Sequence, residues 1–325
     1  MTMTMTMLCH SFKLTQLTRQ RTATLPLTRL SSSLSEIREI HEKALSLAPP
    51  ATSSASSEWS LNIAHLLTHH LNLPPNTYSS IFNKNYPPNL NLSSPPTFFS
   101  DVTRLTNSEP IQYILGSWDF YTLSNVLCSA PVLIPRPETE DLITILLTSI
   151  PPSPAAKKLN IIDVGTGTGC IGISILKELP NVNLYGVEPG VEAYNLTNLN
   201  INKFEKEFKH NSDYVKLYGC GIEDLEEIEC DYIISNPPYI PTRDMEGLDD
   251  KVIRYEDYKA LWGGEDGLDV IREVLRYAEK VGGKVFGEGD EGCVEGVRRF
   301  VGERGEVEGR KDFMGKERFF IVSWL

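Results

Sequence analysis

Residues 236–239 read Asn-Pro-Pro-Tyr and follow the apolar run Asp231-Tyr232-Ile233-Ile234-Ser235. Two prolines fix φ and donate no hydrogen bond, and Pro237 pushes Asn236 out of the helical region. The turn therefore offers acceptors without competing donors: the side-chain oxygen of Asn236 and the carbonyl of Pro237. Two acceptors can hold the two hydrogens of an NH2 group, while Tyr239 supplies a flat wall for a planar group. An exocyclic amine or amide nitrogen is a poor nucleophile because its lone pair is delocalised. Accepting both of its hydrogens shifts charge onto nitrogen and aims the lone pair at an electrophile. Such catalysis rests on positioning and electrostatics, and the proton leaves after attack. Asn236, Pro237 and Tyr239 are the expected catalytic residues.

A second feature lies upstream. The apolar run 159–164 leads into Asp163-Val164-Gly165-Thr166-Gly167-Thr168-Gly169, and Cys170-Ile171-Gly172 opens a helical pattern. Glycines let backbone approach a ligand closely and adopt φ > 0, and a helix N-terminus offers free N–H groups. The GxGxG spacing lacks the further GxxG of dinucleotide loops, which favours a nucleoside without a pyrophosphate. Asp163 either orients the loop or meets an ammonium group. Glu188 ends the next strand-like run, 19 residues after Gly169, where a carboxylate can accept both hydroxyls of a ribose.

These groups need a scaffold. From residue 159 onward, strand-like runs at 159–164, 183–187, 214–218, 231–235 and 283–286 alternate with helical stretches near 170–179, 190–203, 267–280 and 291–301, and a last strand is expected at 319–324. Such alternation predicts an α/β fold with a mostly parallel, Rossmann-like sheet covered on both faces. Before it, Pro137 opens a helix to residue 150, with Glu138, Glu140 and Asp141 at the positive end of its dipole. Residues 111–135 carry apolar and aromatic residues among turn formers and read as a linking β-hairpin. Residues 35–110 read as a small helical domain. Its apolar stripes are Leu34, Ile37, Ile40, Ala44 and Leu47; Trp59, Ile63, Leu66, Leu67 and Leu71; and Phe98, Phe99, Val102 and Leu105. The Ala/Ser/Thr-rich residues 51–57 read as a loop. Residues 136–325 form the expected catalytic domain.

Composition narrows the function. Of 325 residues, 41% are apolar and 23% charged, a globular balance. No apolar run is long enough to cross a bilayer, so no membrane association is expected. The six cysteines include no CxxC pair, which disfavours a zinc ribbon or thiol-redox site. His65 and His69 share the i, i+4 spacing of a metal pair but lack a nearby third ligand, so surface or half-buried histidines and no metal are expected. Residues 1–128 carry a net charge of +1 and residues 129–325 a net of −13. An acidic second half is a poor binder of nucleic acid and suits a basic protein partner. The first 35 residues hold no Asp or Glu but four basic residues among many Thr and Ser. That is transit-peptide composition, and 1–34 is read as a leader to a mitochondrion, with plastid or cytoplasm as alternatives. A monomer is expected.

The chain resembles the HemK-like glutamine methyltransferases, which use S-adenosylmethionine to methylate the glutamine of the GGQ motif in class I peptide chain release factors. The resemblance runs over residues 109–325. It is carried by Glu109-Pro110-Ile111-Gln112-Tyr113-Ile114-Leu115-Gly116, by Val132-Leu133-Ile134-Pro135-Arg136-Pro137-Glu138-Thr139-Glu140, by the glycine loop and the Asn-Pro-Pro-Tyr turn, and by Ala260-Leu261-Trp262-Gly263-Gly264-Glu265-Asp266-Gly267-Leu268-Asp269. The turn alone is shared with adenine-N6 and guanine methyltransferases of nucleic acids; the Pro-Arg-Pro-Glu-Thr-Glu segment narrows the match to protein methylation. The resemblance implies that Asp163, Gly165, Thr166, Gly167, Thr168, Gly169, Glu188 and Asn236 bind S-adenosylmethionine. It implies that Asn236, Pro237, Pro238 and Tyr239 hold the glutamine, and that Arg136 braces the cleft, unless it serves as an interdomain salt bridge. Three positions depart from the family pattern. Glu188 replaces Asp, no acidic residue stands in the turn Gly219-Cys220-Gly221-Ile222, and Tyr255-Glu256-Asp257 replaces Tyr-Glu-Pro.

Three functions compete: release-factor methylation in an organelle, methylation of an exocyclic amine in DNA or RNA, and an idle module that keeps the cofactor pocket. The charge of the second half argues against the second, and the intact Asn-Pro-Pro-Tyr turn against the third.

Overall fold

The computed structural model describes residues 34–48, 53–86, 95–151, 158–209 and 214–325. The expected leader, residues 1–34, lies outside them apart from Leu34, as does the stretch 152–157.

Among the described residues, the N-terminal region is built from α1 (Leu34–Ser46), α2 (Ser53–His70), the short α3 (Tyr78–Phe82) and α4 (Pro95–Thr106). The expected stripes face one another there, except that Leu34 and Leu47, at the two ends of the first stripe, are exposed because the helix ends there run past the packed core. Ile37, Ala44, Trp59, Ile63, Leu66, Leu67, Phe98 and Val102 share one buried core, each large member contributing about 1.5–3 kcal/mol. Two expectations need correction. Residues 53–57 are helical, because Ser and Ala without a proline do not stop a helix that has packing on its far side. Residues 111–115 form a helix, α5 (Ile111–Leu115), closed by Gly116 at φ +73. Ile111 and Ile114 reach the helical core from one side while Tyr113 turns the other way, so the apolar residues there follow a helical period. The hairpin is thus shorter than 111–135: β1 (Ser117–Phe120) and β2 (Leu123–Leu127) pair antiparallel.

After α6 (Glu138–Ser149) come β3 (Leu159–Val164), α7 (Cys170–Glu178), β4 (Val182–Val187), α8 (Val191–Phe204), β5 (Tyr214–Tyr218) and β6 (Tyr232–Ser235). The chain ends with α9 (Asp250–Tyr255), α10 (Asp269–Val281), β7 (Lys284–Glu288), α11 (Glu291–Val301), β8 (Gly305–Lys311) and β9 (Glu317–Trp324). The sheet order is β5-β4-β3-β6-β7-β9-β8. The first five strands are parallel, and β9 runs antiparallel to both β7 and β8. The sequence pattern does not predict strand β8. Its charged sequence Gly-Glu-Val-Glu-Gly-Arg-Lys suits a sheet edge, where like-charged neighbours deter further pairing.

Because side chains alternate across a strand, neighbours in one run serve two cores. Ile162 and Ile233 pack with α10 and α11 on one face. Ile161 and Ile234 pack with α6 and α7 on the other, where Phe120, Leu123 and Val126 of the hairpin join them. From β3 the chain steps outward to β4 and β5, then returns to place β6 on the opposite flank of β3. The carboxyl ends of β3 and β6 therefore flank the switch point of the sheet, where α/β folds open a crevice.

Candidate functional site

The glycine loop leaves β3 and the Asn-Pro-Pro-Tyr turn leaves β6, side by side. Ser235 Oγ donates to the Val164 carbonyl at 2.8 Å and ties the two strand ends together. Gly165, Gly167 and Gly169 have φ of +72, +60 and +81, so the loop uses the left-handed region at every second residue. Side chains hold it from behind. Asp163 Oδ2 accepts from Gly172 N–H at 3.0 Å, which places this carboxylate as a brace for the start of α7. Glu188 accepts from Gly167 N–H at 2.9 Å and from Gly190 N–H at 2.8 Å. Thr197 Oγ1 donates to the Gly167 carbonyl at 2.9 Å, and Asn200 Nδ2 donates to the Thr168 carbonyl at 2.8 Å. Asn200 also bonds the backbone of Leu127, joining the hairpin to the loop. Thr166 Oγ1 lies 2.9 Å from Thr197 Oγ1.

The loop fits a nucleoside-type ligand. A Cβ added at Gly165 would meet the Asn236 carbonyl oxygen at 3.9 Å and one at Gly167 the Gly165 carbonyl oxygen at 4.0 Å, so only backbone oxygens at van der Waals distance border both positions. Asp163 Oδ1 is buried and has no hydrogen-bond partner among the described residues. Burial pushes the Asp163 carboxyl up to about 7, against the lowering by Gly172 N–H. Burial also raises the Glu188 carboxyl. Each oxygen of Glu188 accepts one backbone bond, and a carboxylate oxygen has capacity for a second.

The turn is held differently. Ile240 N–H donates to the Leu261 carbonyl at 2.9 Å, Gly263 N–H donates to the Ile240 carbonyl at 2.9 Å, and Thr242 N–H donates to the Gly264 carbonyl at 2.9 Å. Segment 261–267 thus lies along the turn like a short strand. A Cβ at Gly263 would come 2.7 Å from Tyr239 Cα and 2.8 Å from the Pro238 carbonyl oxygen. That explains the Gly-Gly of this segment: only a bare backbone can press so close. Tyr239 Oη lies 3.4 Å from Arg318 Nη1, and Arg318 Nε donates to Asp312 at 3.0 Å.

Asn236 Nδ2 donates to Thr139 Oγ1 at 3.0 Å, and Thr139 Oγ1 donates to Glu288 Oε2 at 2.8 Å. One hydrogen of the Asn236 amide nitrogen is thereby engaged inward, which turns the nitrogen end of the amide toward Thr139. The roles of Thr139, Glu288, Thr197 and Asn200 emerge only in the folded chain. The available signals were the Thr inside Pro-Arg-Pro-Glu-Thr-Glu, an acid ending an apolar strand, and polar residues at i, i+3 on the buried face of α8.

Arg136 sits apart from the glycine loop. Its Nη2 pairs with Glu256 at 2.5 Å, and both line a cavity of about 570 Å3 together with Trp59, His65, Trp118 and Lys251. The helical region meets the catalytic half here, through Lys251 with Glu58 at 3.2 Å and through Tyr255 Oη donating to the Asn107 carbonyl at 3.3 Å. His65 is half-buried and stacks on Tyr78, 4.1 Å between ring centres, while His69 is exposed. Among the described residues, no group of three or more His, Cys, Asp or Glu is placed to hold a metal. No helix among them is long and apolar enough to cross a membrane.

The family model described as Methyltransferase small domain matches residues 138–255, which span α6, the glycine loop and the turn. A release factor glutamine methyltransferase of Geobacter sulfurreducens is 38% identical over 54% of this chain and 57% of its own length; the chain thus spans little more than half of that relative. The human MTRF1L release factor glutamine methyltransferase is 35% identical over 66% of this chain and 67% of its own. The Bacillus anthracis release factor glutamine methyltransferase is 35% identical over 66% and 76%. Among solved structures, the hMettl16 catalytic domain aligns with a TM-score of 0.46 at 15% identity, over 60% of this chain and 72% of that one.

Proposed function

The chain belongs to the release factor glutamine methyltransferases, and from that premise we propose that it methylates the side-chain nitrogen of the glutamine in the GGQ motif of a class I peptide chain release factor. When bound, S-adenosylmethionine supplies an electrophilic methyl on a sulfonium centre. The residues of the glycine loop fit this cofactor: the bare backbone of Gly165 and Gly167 has no side chain crowding it, and Glu188 offers carboxylate oxygens to its ribose hydroxyls.

The chain's own work falls on the turn. Asn236 Oδ1 and the Pro237 carbonyl accept the two hydrogens of the substrate carboxamide, which raises the electron density on nitrogen and fixes the direction of its lone pair. Pro238 keeps the turn stiff, and the Tyr239 ring bounds the plane of the amide. No base is required before transfer, and the proton leaves the methylated nitrogen afterwards to water. The reaction is accelerated by orientation and by acceptors aimed at a developing positive charge.

The observation that carries this reading is the inward bond from Asn236 Nδ2 to Thr139, which turns the nitrogen end of the amide inward and leaves its oxygen as an acceptor for the substrate. The acidic catalytic half suits a basic face on the release factor. The acid-free first 35 residues support action in an organelle, with a mitochondrion favoured. The test is mass spectrometry of a release-factor domain containing GGQ after incubation with the protein and S-adenosylmethionine. One added methyl on that glutamine is expected; a methyl found only on DNA or RNA would reverse the assignment.

A further inference from the structure

Thr139 and Glu288 are 3% and 1% exposed, and neither lies where a substrate atom reaches it directly. They nonetheless stand behind the one side chain on which substrate recognition turns. Thr139 comes from α6, Glu288 from the end of β7 and Asn236 from the end of β6, so three separate elements converge on a single hydrogen-bonded chain. A hydroxyl has one proton to give. With Glu288 ionised, Glu288 can only accept, so Thr139 must donate to it. Thr139 then has only lone pairs to offer Asn236, and these select the NH2 end of the Asn236 amide. The oxygen of Asn236 is left facing the cleft. With Glu288 protonated, the chain of donors can run backwards: Glu288 donates to Thr139 and Thr139 donates to Asn236 Oδ1. The NH2 of Asn236 would then face the NH2 of the substrate, donor against donor.

We propose that Thr139 and Glu288 are positioning residues that form a proton-ordered relay, setting which end of the Asn236 carboxamide meets the substrate. This rests on the reading of Asn236 as an acceptor for the glutamine amide. The relay gives a physical reason for the Thr of Pro-Arg-Pro-Glu-Thr-Glu. Two further observations support it. Glu288 Oε1 is buried without a hydrogen-bond partner among the described residues, so no second hydrogen bond ties this carboxyl to one protonation state. The charged groups that face Glu288 oppose one another: Arg318 and Arg136 favour the ionised form and Glu138 opposes it, beside the Tyr239 ring. Burial outweighs them all and pushes the carboxyl up to about 7. A carboxyl shifted upward is neutral below that value and ionised above it, so the competent orientation gains population as pH rises through about 7.

The full-length protein tests this with S-adenosylmethionine and a GGQ-containing release-factor domain, rates being measured at pH values on both sides of the Glu288 transition. The wild type should gain kcat with rising pH. Glu288→Gln keeps the shape but does not titrate, so that limb should vanish. Thr139→Val should lose about 10- to 100-fold in kcat and the same limb, and Thr139→Ser should restore both. Cofactor affinity by calorimetry and thermal unfolding should stay near wild type in Glu288→Gln and Thr139→Ser, which separates positioning from folding. If Asn236→Ala is inactive while Glu288→Gln retains the wild-type limb, or Thr139→Val retains the wild-type rate, the relay is wrong and the role of Asn236 stands. If Asn236→Ala itself turns over normally, the reading of the turn falls and the relay with it.

Discussion

The two loops that flank the switch point of the sheet solve opposite problems. After β3, the chain sheds side chains, and after β6 it sheds backbone donors. The glycine loop gains a bare backbone but loses intrinsic rigidity, so side chains from α8 and strand-end acids hold it from behind. The proline turn is stiff by covalent geometry and is held by the backbone of segment 261–267. A loop built to receive a ligand along its backbone must borrow its rigidity from side chains, whereas a turn built to present acceptors carries much of its own. Each is then vulnerable in a different place.

That contrast can be broken by substitution. The largest effect is expected from Asn236→Ala, which removes an acceptor at the reacting group and should lower kcat by about 100- to 1,000-fold, read as labelled methyl on the release factor. Gly167→Ala should come next, and it should act on binding. A Cβ at φ +60 costs about 1–2 kcal/mol and adds a side chain to the bare backbone, so calorimetry should find weaker S-adenosylmethionine binding. Gly263→Ala probes the other loop from behind. Its Cβ would press on the backbone of Pro238 and Tyr239, costing about 1–3 kcal/mol of stability and lowering kcat with little change in cofactor affinity. If Gly263→Ala instead weakened the cofactor and spared kcat, the two loops would not be separable as described.

The smallest effect belongs to Asp163→Asn. The folded carboxyl titrates at about 7, above the ordinary range of an Asp. Its contribution is therefore greatest in acid, and stability is lost as pH rises toward and through that value. Asp163→Asn should flatten this part of the stability curve, followed by denaturant unfolding across pH.

Much of this was legible beforehand. Isoleucine pairs such as Ile161-Ile162 and Ile233-Ile234 mark strands buried on both faces, and the helical stripes around Trp59 and Phe98 found one another as expected. Misreadings arose where local pattern was ambiguous. Ile111, Tyr113 and Leu115 alternate like a strand, yet a helix lets Ile111 and Ile114 reach one core and Tyr113 another. Strand β8 is too charged to announce itself and exists because β9 offers it a partner. For Arg136 the sequence left a salt bridge and a place in the cleft both open, and its pairing with Glu256 depends on a loop 120 residues away.

From its own order the chain determined which peptide units are free to bend and which are locked, because φ is a property of glycine and proline themselves. It determined also where acids and acceptors stand relative to strand ends. The direction in which Asn236 faces was decided only by the fold. That choice depends on a hydroxyl from α6 and a carboxylate from β7, and no local rule brings residues 139, 236 and 288 together; packing three elements around one sheet does.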